Sequence, residues 1–352
     1  VPWRLASFSI SPDTRDDLAR TQRRAWQADL AARHAARTQA RRCVRYALTR
    51  IVGIVPTLFV IVTLSFVLVR LAPGGPFDQE QTLAPDIKAN LDRAYGLDLP
   101  LGRQYLRYLA GLSHGDLGPS MRVRDFTVNQ LIATGLPVSL ILGSLAFALA
   151  VGLGIPLGVV AATRKDRLAD RLLMAVLALG IAIPAYVVAP LLALVFGIYL
   201  RWLPVAGWEP GTARDLVLPV IALALPTLAY VARLTRASVL EVLGLPYVRT
   251  ARAKGLTPSA VLIRHALPPA LAPVLGYLGP AAAAVLTGSL VVETVFGLPG
   301  MGRFLVQGAL NRDYTLVLGQ VLVYAALLVS FNLAVDLLQG LLDPRVRHGR
   351  RP

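Results

Sequence analysis

Six long runs without a charged side chain divide this 352-residue chain, and they leave it few ways to fold. The first lies between Arg50 and Arg70 and holds 19 uncharged residues. The others are 126–163, 172–200, 216–232, 265–292 and 315–335. A helix of about 20 apolar residues crosses the hydrocarbon core of a bilayer. Within that core each backbone N–H and C=O has to be satisfied inside the protein, which makes helices the form for runs of this length. The expected fold class is therefore an all-α membrane protein with six transmembrane helices. The second run is too long for one span and is expected to begin near Leu136, after a polar lead-in at Asn129-Gln130. The fourth is short and has to continue past Arg233, whose charged tip can reach the interface on its apolar stem.

A net charge of +16 invites a nucleic-acid reading, and sorting the charges by segment removes it. Segments 70–125, 201–215 and 293–314 carry 7, 2 and 2 basic residues against 7, 2 and 2 acidic ones. Segments 1–50, 164–171, 233–264 and 336–352 carry 11, 4, 6 and 4 basic residues against 4, 2, 1 and 2 acidic ones. The whole excess falls on one side of a six-span layout. Cytoplasmic loops of membrane proteins concentrate Lys and Arg in this way, so both the N and C termini are expected in the cytoplasm. Anionic headgroups of the lipid bilayer then account for the charge, and no nucleic acid is required.

The chain is thus organised as an N-terminal cytoplasmic extension (1–43), a six-span domain (44–347) and a short tail (348–352). The extension is rich in Ala and Arg, and its apolar positions (Leu18, Trp26, Leu30) are too sparse for a strong amphipathic signal. It reads as a weakly ordered or surface-lying segment, or as sequence ahead of the true start, since Val44 stands where a first span begins. Its first ten residues lack a charged start followed by an apolar core, so the first span is expected to stay as an anchor.

The external segment 70–125 contains two helical stretches, 86–95 and 104–112. Turns at Pro73-Gly-Gly-Pro76 and Gly115-Asp-Leu-Gly-Pro119 bracket them. It has material for an ordered cap that receives a partner, and equally for a lid packed over the spans. The segment 293–314 holds Gly297-Leu-Pro-Gly-Met-Gly302, which no Lys-Ser or Lys-Thr follows. It is therefore no phosphate loop and reads as an external re-entrant gate or turn. Prolines 56, 184, 190, 268, 269, 273 and 280 mark kinks within or at the ends of spans.

Several function classes lose ground. None of the three lysines (Lys88, Lys165, Lys254) sits in a G-x-x-x-x-G-K-[ST] pattern. A single cysteine, Cys43, and four scattered histidines (His34, His114, His265, His348) offer no metal-ligand spacing. No ionisable residue falls in the middle of a run, which disfavours a proton-coupled secondary carrier, and a stand-alone channel or carrier stays as the remote alternative. No constellation of catalytic side chains stands out, so the chain is expected not to be an enzyme. Uphill movement would draw its energy from another protein.

The loop 241–265 is built with unusual care. The fourth span is expected to run to Leu243, where Gly244 and Pro246 end it. Pro246 then serves as the first-turn residue of a short helix over 247–254. Gly255 stops that helix, with Leu256 closing it by apolar contact. Thr257-Pro258 caps and starts a new helix toward Leu267-Pro268. Two readings stand at this point. The short helix is a rigid docking element exposing Tyr247, Arg249, Arg252 and Lys254, or it is a basic loop lying against anionic lipid.

The run Tyr247-Val-Arg-Thr-Ala-Arg-Ala-Lys-Gly-Leu256, followed by Arg264-His-Ala-Leu-Pro268, resembles the cytoplasmic loop of bacterial ABC importer permeases. That family's pattern is Glu-Ala-Ala, three residues, Gly, then a downstream Leu-Pro. Here Arg249-Thr250-Ala251 fills the first positions, so no glutamate role is carried over. Other landmarks resemble the oligopeptide and dipeptide branch, closest to the B subunits of oligopeptide permeases. They are Pro56-Thr-Leu-Phe59, Arg70-Leu-Ala-Pro-Gly-Gly-Pro-Phe77, Gly115-Asp-Leu-Gly-Pro-Ser120, Val292-Glu-Thr-Val-Phe-Gly-Leu-Pro-Gly300, Asn311-Arg-Asp-Tyr314 and Asp343-Pro-Arg345. The resemblance covers 44–347.

The resemblance implies a type I ABC importer permease fold in the bacterial cytoplasmic (inner) membrane. It implies a second homologous permease subunit, two ABC ATPase subunits and an extracytoplasmic peptide-binding protein as partners. ATP and Mg would be bound by the ATPases, with no cofactor in this chain. ATPase coupling would fall to Tyr247, Arg249, Thr250, Ala251, Arg252, Lys254, Gly255 and Leu256. Pro258 would shape that contact, and Pro268 would set the angle at which the fifth span re-enters the membrane. Oligopeptides are the implied cargo, with dipeptides, glutathione or a nickel complex as alternatives.

Overall fold

The structure, a computed structural model, describes residues 52–72, 74–77, 85–209 and 212–342. Expectations for the extension 1–43, the span start at Val44 and the tail 348–352 fall outside them. By its internal contacts the chain separates into 54–339 and a second unit, 1–53 with 340–352. Among the described residues the fold is entirely helical, apart from an isolated bridge between Pro119 and Thr127.

In chain order the helices are α1 (Val52–Leu71), α2 (Pro85–Tyr95), α3 (Leu101–Ser113), α4 (Val128–Thr163), α5 (Leu168–Ala182), α6 (Ala185–Leu192), α7 (Arg214–Leu243) and α8 (Pro246–Ala253). They are followed by α9 (Pro258–Ala260), α10 (Leu267–Val295), α11 (Met301–Leu310) and α12 (Tyr314–Leu342). Helix α6 passes into a π-helical stretch, Ala193–Tyr199, and α9 reaches α10 through another, Val261–Ala266. Among the described residues, five helical segments are long and apolar enough to cross a membrane, and the α5–α6 pair brings the number to six if it counts as one span.

That pair is the third span, and the kink expected from its prolines is a sharp break. Its halves meet at 105°. The cause is Pro184, which has no N–H to continue α5 and forces the preceding residue out of helical geometry. Ile183 is accordingly extended (φ −92°, ψ 117°), and Pro184 becomes the N-cap of α6. A difference from expectation concerns α4. It begins at Val128 rather than near Leu136, because Thr127 and Gln130 form a reciprocal capping box that satisfies two N-terminal N–H groups.

Helix α7 is the axis of the bundle. On one side it lies against α4, where the hydrogen-only side chain of Gly158 lets the helices meet. A Cβ there would fall on the Ala232 carbonyl oxygen and within 2.6 Å of the Thr235 side chain. On the other side α5 runs along it, with Gly180 against Leu225 and Ala229. The main core joins α4, α5, α6, α7 and α10 through Leu142, Ala146, Leu177, Ala189, Ala222, Ala229 and Val285. Helix α12 closes on α10, where Gly279 faces Asn332 and Val335. Helix α1 meets the rest at Thr63 and Phe66, against Tyr105 and Tyr108 of α3, and at Arg70, over the Tyr314 ring. Most of its other apolar side chains, such as Val55, Phe59 and Leu64, are exposed, as a lipid-facing helix requires.

Candidate functional site

The two ends of the bundle are built differently. At one end, α7 stops at Gly244, whose N–H bonds back to the carbonyls of Glu241 and Val242. Leu245 is extended, and Pro246 opens α8 at the position where a missing N–H costs nothing. Val248 (0% exposed) and Ala251 (5%) face inward onto Ala162, Val239, Val242, Val261, Ala266 and Ala270. The opposite face of α8 carries Tyr247, Arg249, Thr250 and Arg252, all exposed, with Lys254 exposed just beyond its end. The Tyr247 hydroxyl donates to the His265 carbonyl at 3.2 Å, which ties α8 to the turn before α10.

Gly255 stops α8 in the left-handed region (φ +81°), where a side chain is disfavoured. Its N–H bonds to the Arg252 carbonyl at 2.9 Å. Space beyond its Cα is open, with no atom within 4 Å of a Cβ placed there. Thr257 then accepts from the Ala260 N–H, and Pro258 begins α9. Pro268 sits in the first turn of α10, directly after the π-helical residues. A proline ring collides with the carbonyl four residues back in a regular helix, and a widened turn relieves that collision.

The ten residues singled out by sequence therefore fall on one segment but not on one face. Tyr247, Arg249, Thr250, Arg252, Lys254, Gly255, Leu256 and Pro258 are exposed together, and Pro268 is exposed one helix further on. Ala251 is different, because it packs into the bundle. Leu256, expected to close the helix by apolar contact, is 39% exposed and outside the cluster beneath α8.

The other end is held by polar bonds between distant segments. Asp313, fully buried, accepts from the Ser120 hydroxyl and from the N–H groups of Met121 (3.2 Å), Arg122 (3.3 Å) and Leu316 (3.1 Å). Thr315 donates to the Pro119 carbonyl at 2.6 Å, and Tyr314 to that of Gly74 at 2.6 Å. These bonds fasten Gly74 and residues 119–122 onto the start of α12.

The segment 293–314 is a tight turn leading into α11. Glu293, near the end of α10, is fully buried and accepts from the Gly302 N–H at 2.7 Å. Ser139 of α4 accepts from the Met301 N–H at 2.9 Å. A carboxylate and a hydroxyl thus cap α11 from two other helices. Gly300 and Gly302 leave room for them, since a Cβ on either would fall against the Glu293 carboxylate.

Sequence reasoning also missed Asp170 and Arg236. Arg236 of α7 donates twice to Asp170 in the first turn of α5, Nε to Oδ1 and an Nη to Oδ2, both at 2.7 Å. Asp170 is 2% exposed and also accepts from the Asp166 N–H at 3.0 Å. Their opposite charges at the cytoplasmic-looking ends of two runs were the available signal, and their 66-residue separation hid the pairing.

Comparison with known proteins places this architecture. Residues 154–348 match the family described as binding-protein-dependent transport system inner membrane component. The chain is 48% identical over 305 residues to the oligopeptide transport system permease protein OppB of Escherichia coli (strain K12), covering 87% of this chain and all of that protein. It is 42% identical over 303 residues to the dipeptide transport system permease protein DppB of Bacillus subtilis (strain 168), covering 86% and 98%. Among solved structures, a chain of the MetNI methionine ABC transporter in inward-facing conformations superposes with a TM-score of 0.50 at 17% identity. That match covers 61% of this chain and 97% of the other, and it supports the fold of a type I ABC importer permease. By its family match and by identity over the whole length of such relatives, this chain belongs to the inner membrane components of binding-protein-dependent transport systems.

Proposed function

We propose that this chain is one of two homologous permease subunits that line the pathway of an ATP-driven oligopeptide importer. Both termini lie in the cytoplasm, two cytosolic ATPases bind ATP and Mg, and an extracytoplasmic binding protein delivers the peptide. The chain itself performs no catalysis. The 247–258 loop is its contact with an ATPase, formed by Tyr247, Arg249, Thr250, Arg252, Lys254, Gly255 and Leu256. Ala251 seats α8 from within, and Pro258 and Pro268 set the exit toward α10.

The observation that carries this reading is the mounting of α8. It has an exposed basic face and a buried apolar face, begins two residues after α7, and is joined to α10 through the Gly255 stop, α9 and the π-helical stretch. A displacement applied to such a helix passes into two spans instead of being absorbed by slack. Closure of the ATPase pair would push α8, and the bundle would pass between inward- and outward-facing states, which is alternating access biased by a partner with two states. The 48% identity to the OppB relative supports oligopeptides as cargo, and the 42% identity to the DppB relative keeps dipeptides as the second reading.

Reconstitution tests the reading. In liposomes, the chain with its partner permease, the ATPases and a peptide-loaded binding protein is expected to accumulate peptide only with ATP. The chain purified alone is expected to accumulate none. Uptake by the chain alone would make it a channel or carrier instead.

A further inference from the structure

Helix α7 connects directly to α8, so whatever moves α8 moves α7 first. Helix α4 follows α7 by close packing at the Gly158 seam, where backbone meets backbone. Helix α5 has a looser grip. A Cβ on its small residue Gly180 would lie 3.3 Å from the Leu225 side chain and 3.4 Å from Ala229, a less close approach than at Gly158. Near the α8 end, however, α5 is fixed to α7 by the two-bond Asp170–Arg236 pair. Arg236 lies two turns before the Gly244 cap, between the apolar body of α7 and α8. Asp170 lies in the first turn of α5, where the helix dipole also favours a carboxylate.

The pair is well placed to define one geometry. A planar guanidinium gripping both oxygens of a carboxylate restricts direction as well as distance. The Asp166 N–H holds Oδ2 from the other side, so the carboxylate cannot swing away with the arginine alone. Beyond α5 comes the break at Ile183–Pro184 and then α6, which also packs against α7 and α10 through Val188 and Ala189. The bent pair therefore has one rigid handle near the α8 end and a joint halfway along.

We propose that Asp170 and Arg236 are positioning residues for transport, the pin through which α5 and, across the Ile183–Pro184 joint, α6 follow α7 when α8 is displaced. The inference rests on the reading of this chain as an ATP-driven permease and goes beyond it by naming how the third span is driven. Neither residue touches the ATPase or the cargo in this account. Without the pin, the ATPases still close and α7 still moves, but α5 and α6 lag and the pathway does not complete its change.

The test uses the full complex in liposomes, with ATP hydrolysis and peptide uptake read on the same sample. For Asp170→Asn, hydrolysis is expected to hold while peptide taken up per ATP falls at least about five-fold. Arg236→Lys, which keeps the charge and loses the fork, is expected to show a smaller loss in the same direction. It carries the test if the asparagine variant does not assemble. A native uptake-to-hydrolysis ratio in the variants overturns the proposal, as does a parallel fall of both activities, which would mark the pair as serving the fold alone. Failure of the underlying reading looks different, because then the unaltered complex itself shows no ATP-dependent uptake.

Discussion

The α11 end and the α8 end of this bundle solve opposite problems. At the α11 end, buried carboxylates of Asp313 and Glu293 bind segments up to 193 residues apart. At the α8 end a single helix rests on a small apolar cluster, and its polar groups point outward. Buried polar bonds are directional and costly to break, so they fix one arrangement. An apolar seat is less directional and leaves the charged face for a partner. The difference teaches where stability and where function should be sensitive to substitution.

The comparison breaks most readily at Asp313. Asp313→Ala removes the acceptor of the Ser120 hydroxyl and of the Met121 and Leu316 N–H groups together, which is expected to cost about 3 kcal/mol or more. Thermal unfolding of the purified protein in detergent reads it, and a transition unchanged from the parent would mean that this end is not held by its polar bonds. Gly302→Ala comes next. The new methyl meets the Leu290 backbone and the Glu293 carboxylate, with an expected loss of about 2 kcal/mol by the same measurement.

At the α8 end the expected stability effects are smaller. Val248→Ala removes two buried methyl groups beneath α8 and is expected to cost about 1.5 kcal/mol. Arg252→Ala, on the exposed face, is expected to change stability by no more than about 0.5 kcal/mol. Its effect should fall on ATP-dependent uptake instead, so an arginine variant with full uptake would weaken the contrast between the two ends.

The sequence was most legible where structure is decided locally. The stops at Gly244 and Gly255, the first-turn prolines Pro246 and Pro258 and the Thr257 cap act over a few residues, and the structure has them where backbone chemistry puts them. Six apolar runs foretold the membrane-spanning helices for the same reason. The start of α4 was also written locally, in Thr127 and Gln130, but a polar lead-in weighed against it. The 105° bend was signalled by Pro184, although its size depends on how α6 packs against α7 and α10. Least legible were the pairings of Asp313 with 120–122, of Glu293 with Gly302 and of Asp170 with Arg236. Each needs the tertiary fold to bring its partners together, and one-letter charge patterns do not record that.

The most direct test of the coupling reading is Gly255→Asp. Residue 255 sits at φ +81°, facing open space, so an aspartate costs only about 1 kcal/mol and meets no neighbour. It distorts the stop of α8 and sets a negative charge among Arg249, Arg252 and Lys254. Peptide uptake is to be measured in cells, with the amount of the variant in the membrane measured alongside. Native levels of protein with uptake lost are expected, and native uptake by that variant would contradict the coupling role of the loop.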